Sequence, residues 1–198
     1  RRDYFNKPRS IAMLYSLITL FPVIVAIMMR HNFLSVYIVP FAMVPMFVRV
    51  FMDSRTAFIS HVTMLLICTI AVRYQYEFII IQIVAGLIAI YSLRELTRRA
   101  QVFKTGILVA MGSALVYLAL QMIQDNDFTI MDHDMYYHFV VNGVLLLLAY
   151  PLMYIVEKMF GFVSSVTLFE LSNTNRGLLR NLSEIAPGTF QHSITVGN

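Results

Sequence analysis

The sequence predicts an all-α fold, a polytopic bundle of transmembrane helices, on three observations. Of 198 residues, 59% are apolar and only 13% charged, about half the charged share that keeps an ordinary soluble domain wet. The few charges are spaced so that uncharged stretches of about 16–22 residues separate them. A helix rising about 1.5 Å per residue needs about 20 residues to cross a hydrocarbon core about 30 Å thick. The composition excludes a soluble globular domain. The single cysteine, Cys68, excludes a disulfide framework within the chain, and no Cys/His zinc spacing occurs.

Six spans follow, at about 10–29, 33–51, 56–72, 78–93, 102–123 and 135–155. The first is preceded by the basic loop 1–9 and carries Pro22, so it does not read as a signal peptide. The absence of an initiator methionine predicts that the chain begins inside a longer protein, on a cytoplasmic loop that follows an earlier helix. The second contains Pro40 and Pro45, which remove backbone donors, and is therefore expected to be the irregular element and a place for a small-molecule pocket. Arg49 near its end reads as a snorkelling side chain. The third carries His61 about 7 Å inside its start, a candidate proton sensor or ligand-binding group. A neutral imidazole bonded to a neighbouring helix is the plainer reading.

The fourth span is short, and its Gln82 reads as an interhelical hydrogen-bonding group, as do Gln121 and Asn142. Asn142 is also a candidate intramembrane ligand. In the fifth span, Gly106, Ala110 and Ala114 repeat every four residues, a face that lets another backbone approach. The sixth contains Pro151, expected to bend it. The acidic loop Asp125 to Asp134 lacks the central glycine and final glutamate of an EF-hand and reads as a solvated loop.

An even number of crossings puts both termini on one side. That side then holds 13 of the 15 basic residues, with only Arg30 and Arg73 opposite. The positive-inside bias places the termini in the cytoplasm and the acidic loop outside. The net charge of +4 is thus a topology signal, with no nucleic-acid polymer implied. Tyr74, Tyr76, Tyr136 and Tyr137 on the outer side, with Tyr91, Tyr150 and Tyr154 on the inner, read as interfacial belts.

Beyond Glu157 the composition changes. Residues 157–188 form an amphipathic connector opened by Glu157 and Lys158, with Leu178, Leu179, Leu182 and Ile185 on one helical face after a cap at Ser172 or Asn173. Pro187 and Gly188 are expected to stop this helix, and Thr189 to cap a new one carrying His192. That last helix begins a domain predicted to continue past Asn198, since so short a helix is hard to stabilise alone.

The run LFELSNTNRGLLRNLSEIAPGTFQHSITVGN resembles the junction between membrane region and HD domain in the seven-transmembrane HD-domain phosphodiesterases, the PgpH-type cyclic di-AMP hydrolases. A looser likeness extends over the six spans and PLMYIVEKMFG. The resemblance implies a bacterial plasma-membrane protein with an anchoring helix, a large extracytoplasmic domain, seven membrane helices and a cytoplasmic HD domain that hydrolyses cyclic di-AMP to pApA. His192 would then be the first metal ligand of that domain, with Phe190 where the family often has tyrosine. A bridged pair of divalent Mn or Fe ions would supply hydroxide and clamp the phosphoryl oxygens. The adjacent His-Asp pair of such a site is missing here, His133-Asp134 lying on the outer side, so no metal is expected in this chain.

The implied role is a membrane sensor, with the lipid bilayer, an unknown signal ligand and a second copy in a homodimer as partners. Two rival readings are a small-solute transporter using His61, Asn142 and the prolines, and an assembly subunit. No repeat relates the first three spans to the last three, which disfavours the transporter.

Overall fold

The computed structural model describes residues 8–31, 35–93, 100–124, 133–162 and 177–197. Every regular element among them is helical, with no strand. The chain divides into two compact units, Arg1–Phe162 and Val163–Asn198. The acidic loop, the expected cap at Ser172 or Asn173, and Leu168 to Arg176 lie outside the described residues, apart from His133 and Asp134 on the first turn of a helix.

In the first unit α1 spans Pro8–His31, and a 3-10 turn at Val36–Ile38 leads to α2, Met43–Phe51. Then come α3, Ser54–Thr69, α4, Gln75–Ser92, α5, Ala100–Gln124, α6, His133–Leu146, and α7, Ala149–Phe160. By length and apolarity α1, α4 and Gln101–Gln124 of α5 can each cross a membrane, and α6 with α7 makes a fourth crossing if the bent pair is one span. Helix α3, at 16 residues, extends only about 24 Å. Its start is sharp because the Asp53 carboxylate accepts the Thr56 amide at 3.3 Å.

The helices pack in sequence order: α1 on α3, α3 on α4, α4 most extensively on α5, and α5 on α6. Where lipid replaces water, helices gain nothing by merely hiding apolar surface from each other, so close packing and hydrogen bonds hold such a bundle together. The small residues of α5 supply that closeness. A Cβ on Gly106 would lie 2.9 Å from the Gly143 carbonyl oxygen of α6, and one on Gly143 would lie 2.9 Å from the Ala110 Cβ. Large apolar side chains such as Ile107, Leu115 and Ile123 on α5 point outward, as a lipid-facing surface requires.

The segment Val36–Phe51 is the central piece. Val36, Tyr37, Val39, Phe41 to Val48 and Phe51 are all buried, so this element is enclosed on every side. It touches α1, α3, α4, α6 and α7. It is also broken, as its prolines predict. Pro40 offers no N–H, and the chain passes through bonds of short reach, Val39 N–H to Val36 O at 3.2 Å and Phe41 N–H to Val39 O at 2.9 Å, before α2 begins. Pro45 sits in the first turn of α2, where a missing donor costs nothing. Pro22, by contrast, stays within a continuous α1.

The last apolar stretch bends by 44° between α6 and α7. Pro151 supplies the reason: its missing donor and the ring's clash with the carbonyl four residues back leave Leu147, Leu148 and Tyr150 bonded three residues back, at 3.0, 3.0 and 3.3 Å. Helix α7 runs on through Glu157 and Lys158, the residues that the sequence places at the opening of the connector, and ends at Gly161 in the left-handed conformation (φ 67°). There the Gly161 and Phe162 amides both bond the Glu157 carbonyl, a glycine-dependent terminus.

In the second unit α8 spans Gly177–Ile185 and α9 spans Pro187–Gly197, packed on each other. Pro187 does not only stop α8. It is the first residue of α9, the position where its fixed φ and absent donor suit a helix, so Thr189 lies inside α9 instead of capping it. Ile185 is exposed and Leu182 half-buried. The Arg180–Glu184 pair at 3.0 Å is exposed on both sides and contributes little.

Candidate functional site

Breaking a helix inside a bundle frees backbone carbonyls that need donors. Asn142 of α6 supplies them. Its Nδ2 donates to the Tyr37 carbonyl at 3.0 Å and to the Val39 carbonyl at 2.7 Å, across more than 100 residues of sequence. Both N–H bonds of one buried amide are thus used to close the break beside Pro40. Gln121 differs from the interhelical role expected of it, since its Nε2 donates at 2.9 Å to Tyr117, one turn back on its own helix.

Around this clamp stands a group of aromatic rings. Tyr37 meets Phe78 of α4 and Phe139 of α6 edge-on, at centroid distances of 6.2 and 6.1 Å. Phe41 meets Phe78 at 5.2 Å and Phe21 of α1 at 5.9 Å. Tyr117 of α5 meets Phe139 and Tyr136, both at 5.7 Å. Tyr136 is therefore turned into the bundle and is no belt residue. Its neighbour Tyr137 is exposed, as are Tyr74, Tyr76, Tyr91 and Tyr154.

The other end of the central element meets the exit of the bundle. Phe51, the last residue of α2, stacks on Phe162 at 5.4 Å with the ring planes 28° apart. Phe162 also stacks on Phe160, and the Arg9 guanidinium lies over Gly161, where a Cβ would come within 2.8 Å of it. One continuous segment thus runs from a polar clamp at Tyr37 to an aromatic contact at Phe162, the last residue of its compact unit.

His61 stands apart from this clamp. It is fully buried on α3, and its Nε2 donates to the Gln82 carbonyl of α4 at 2.9 Å, while Nδ1 has no hydrogen-bond partner among the described residues. The ring lies on Gly86, so closely that a Cβ there would collide with it. The plainer reading, a histidine bonded to a neighbouring helix, describes its place. Thus Asn142 and Pro40 meet at the break, Pro45 lies within α2, and His61 is elsewhere. Glu157 receives two amides at the α7 terminus, and Pro187 and Gly188 open α9.

Tyr37, Phe51, Gly86, Tyr117 and Phe162 escaped the sequence reading. Only Gly86 carries a local signal, a glycine one turn beyond Gln82 in a span that is otherwise large and apolar.

His192 is exposed on α9, and among the described residues no group of three His, Cys, Asp or Glu side chains stands together. A single imidazole fits as one ligand of a larger metal site.

A helical bundle with several membrane-crossing helices and a broken central one defines a polytopic integral membrane protein. The chain belongs to the family described as 7TM receptor with intracellular HD hydrolase, whose profile matches residues 1–164. Among curated proteins it is similar to the cyclic-di-AMP phosphodiesterase PgpH of Bacillus subtilis (strain 168), 29% identical over 179 residues, covering 86% of this chain and 25% of that protein. It is also similar to the cyclic-di-AMP phosphodiesterase PgpH of Listeria monocytogenes serotype 1/2a (strain 10403S), 26% identical over 168 residues, covering 82% and 23%. An uncharacterized protein of Synechocystis, slr0104, is 33% identical over 127 residues, covering 61% and 16%. The chain spans about a quarter of the length of the two phosphodiesterases it matches. No solved structure matches it.

Proposed function

We propose that this chain is the membrane sensor and signal-transmitting region of a cyclic di-AMP phosphodiesterase, which hydrolyses the cyclic dinucleotide to pApA in a cytoplasmic HD domain opening near Thr189. The chain crosses the bacterial plasma membrane six times with both termini in the cytoplasm. His192 is the first ligand of a divalent Mn or Fe site that supplies the attacking hydroxide when complete. The residues of this chain do a different job: they hold, and on signalling release, the broken helix.

The observation that carries this reading is the span of that helix. Asn142 grips one end, and Phe51 passes any movement of α2 to Phe162 at the start of the connector. A packed element gripped at both ends has discrete arrangements, which a signal can bias by binding one better than the other. Pro40, Pro45 and Asn142 lie on this element or its clamp, and His61 sets the neighbouring α3–α4 contact.

In the complete protein in proteoliposomes, Phe51→Ala and Phe162→Ala are each expected to change cyclic di-AMP hydrolysis at least threefold. The double variant should go no further than either single one, because both remove the same contact. Hydrolysis equal to the parent in both single variants, with the protein intact in the membrane, sinks the transmission role. Orientation is tested separately in a Cys68→Ser background. A membrane-impermeant maleimide applied to intact cells should label Asp127→Cys and leave Asn6→Cys unlabelled, and the reverse pattern inverts the topology.

A further inference from the structure

Near the end of α5, the start of α6 and the 3-10 turn that packs on α6, three polar atoms are buried with no hydrogen-bond partner among the described residues. They are the Tyr37 hydroxyl, the Tyr136 hydroxyl and Gln121 Oε1. Tyr37 itself is only 6% exposed. The three belong to one cluster: Gln121 bonds Tyr117, Tyr117 stacks edge-on with Tyr136 and Phe139, and Phe139 meets Tyr37. Buried polar groups in a membrane bundle are costly when unmet. Three within one connected cluster of side chains point to an occupant.

The inventory of unmet groups says what kind. Gln121 has committed its Nε2 to Tyr117, so Oε1 can only accept. The two phenols each have a proton to donate. An aliphatic hydroxyl offers one donor and two lone pairs, which matches one acceptor and two donors. An ammonium offers donors alone and leaves both phenolic protons unmet. An anion offers acceptors alone and leaves Gln121 Oε1 facing another acceptor. The neighbouring side chains of the cluster are the rings of Phe78, Phe139 and Tyr117, whose carbon faces suit the carbon skeleton that carries a hydroxyl.

We infer that Tyr37, Gln121 and Tyr136 form a binding site for a neutral, hydroxyl-bearing molecule, either the headgroup of an uncharged glycerolipid or a small free polyol. The site adjoins the clamp, since the Tyr37 backbone carbonyl is one of the two that Asn142 holds. The inference rests on the sensory reading for its consequence, and an occupant there would favour one setting of the broken helix.

The test uses this chain, ring-13C-labelled at tyrosine, in phosphatidylcholine nanodiscs that contain no headgroup hydroxyl. One arm titrates 1,2-dioctanoylglycerol and the other glycerol, with tyrosine NMR shifts and thermal unfolding as readouts. Saturable shifts with a raised Tm are expected in at least one arm. Saturation with the lipid alone identifies a headgroup site, and saturation with glycerol as well identifies a site for the free polyol. In Tyr37→Phe/Tyr136→Phe, affinity should fall at least tenfold while the Tm of the unliganded protein holds or rises, since two unmet hydroxyls are gone. Gln121→Leu provides a second variant with the same expected loss of affinity. Saturation in neither arm, or equal affinity in the variants, overturns the site and leaves the cluster to water. Binding that saturates in the complete protein without changing cyclic di-AMP hydrolysis upholds the site and removes the sensory reading instead.

Discussion

Asn142→Leu is expected to destabilise the bundle by about 2–3 kcal/mol in unfolding titrations from mixed micelles. Leucine keeps the branched skeleton and opens no cavity, so the loss reflects the missing hydrogen bonds together with the extra bulk of two methyl groups. Two bonds to backbone carbonyls disappear, each contributing about 1 kcal/mol net, and the Tyr37 carbonyl is left without the Asn142 donor in a place closed to water. The Val39 carbonyl keeps the Phe41 amide and suffers less. The same substitution should cost little in a Pro40→Ala background, because residue 40 regains its amide and the segment can wind into helix that satisfies its own carbonyls. Gln121→Leu is the internal control. Its amide reaches only along its own helix, so a loss comparable to that of Asn142→Leu would contradict the clamp.

The second large effect is expected at Gly86. In Gly86→Ala the new methyl collides with the His61 ring, which is fully buried and tethered to the Gln82 carbonyl and so cannot step aside. Helices α3 and α4 must then separate or the imidazole must leave its bond. Overpacking of this kind costs about 1–3 kcal/mol, and the tether places this case at the upper end, about 3 kcal/mol. His61→Ala alone should also cost about 2–3 kcal/mol through the cavity and the lost bond. Together the two substitutions should cost at least about 2 kcal/mol less than their sum, because each removes the other's difficulty. Simple additivity in unfolding measurements would show that ring and glycine do not meet.

Much of the fold was legible because a bilayer restricts the options. Charge must avoid the hydrocarbon, so the gaps between charges outlined most helices to within a few residues, as at α1, α4 and α5. Pro40 and Pro151 announced their breaks because proline's lost donor acts locally. The glycine and alanine repeat of α5 announced a close helix contact, though not that Gly143 would be the partner. The tail carries the more distinctive motif, whereas the matching profile rests on the membrane region, residues 1–164. That region looked least distinctive because apolar helices share a composition.

The candidate site was legible only in part. Asn142 stood out as a polar residue in a span, but its partners are backbone carbonyls, which have no residue type to recognise. Tyr37, Tyr117 and Tyr136 look in sequence like any other tyrosines of a membrane protein, and Tyr136 differs from exposed Tyr137 only by its position on the helix face. Thr189 shows the same limit at a helix end: a threonine is a good cap, yet Pro187 starts α9 first because a proline costs nothing there.

By itself the sequence determined that this chain is helical, belongs in a membrane and breaks beside Pro40. Those properties follow from hydropathy, charge spacing and proline chemistry, all written residue by residue. Only the tertiary structure decided that the broken segment lies at the centre, held by Asn142 at one end and touching Phe162 at the other. Contacts between residues more than 100 positions apart depend on which helix faces meet, and among lipids that choice is made by close packing and hydrogen bonds, which leave no period in the sequence.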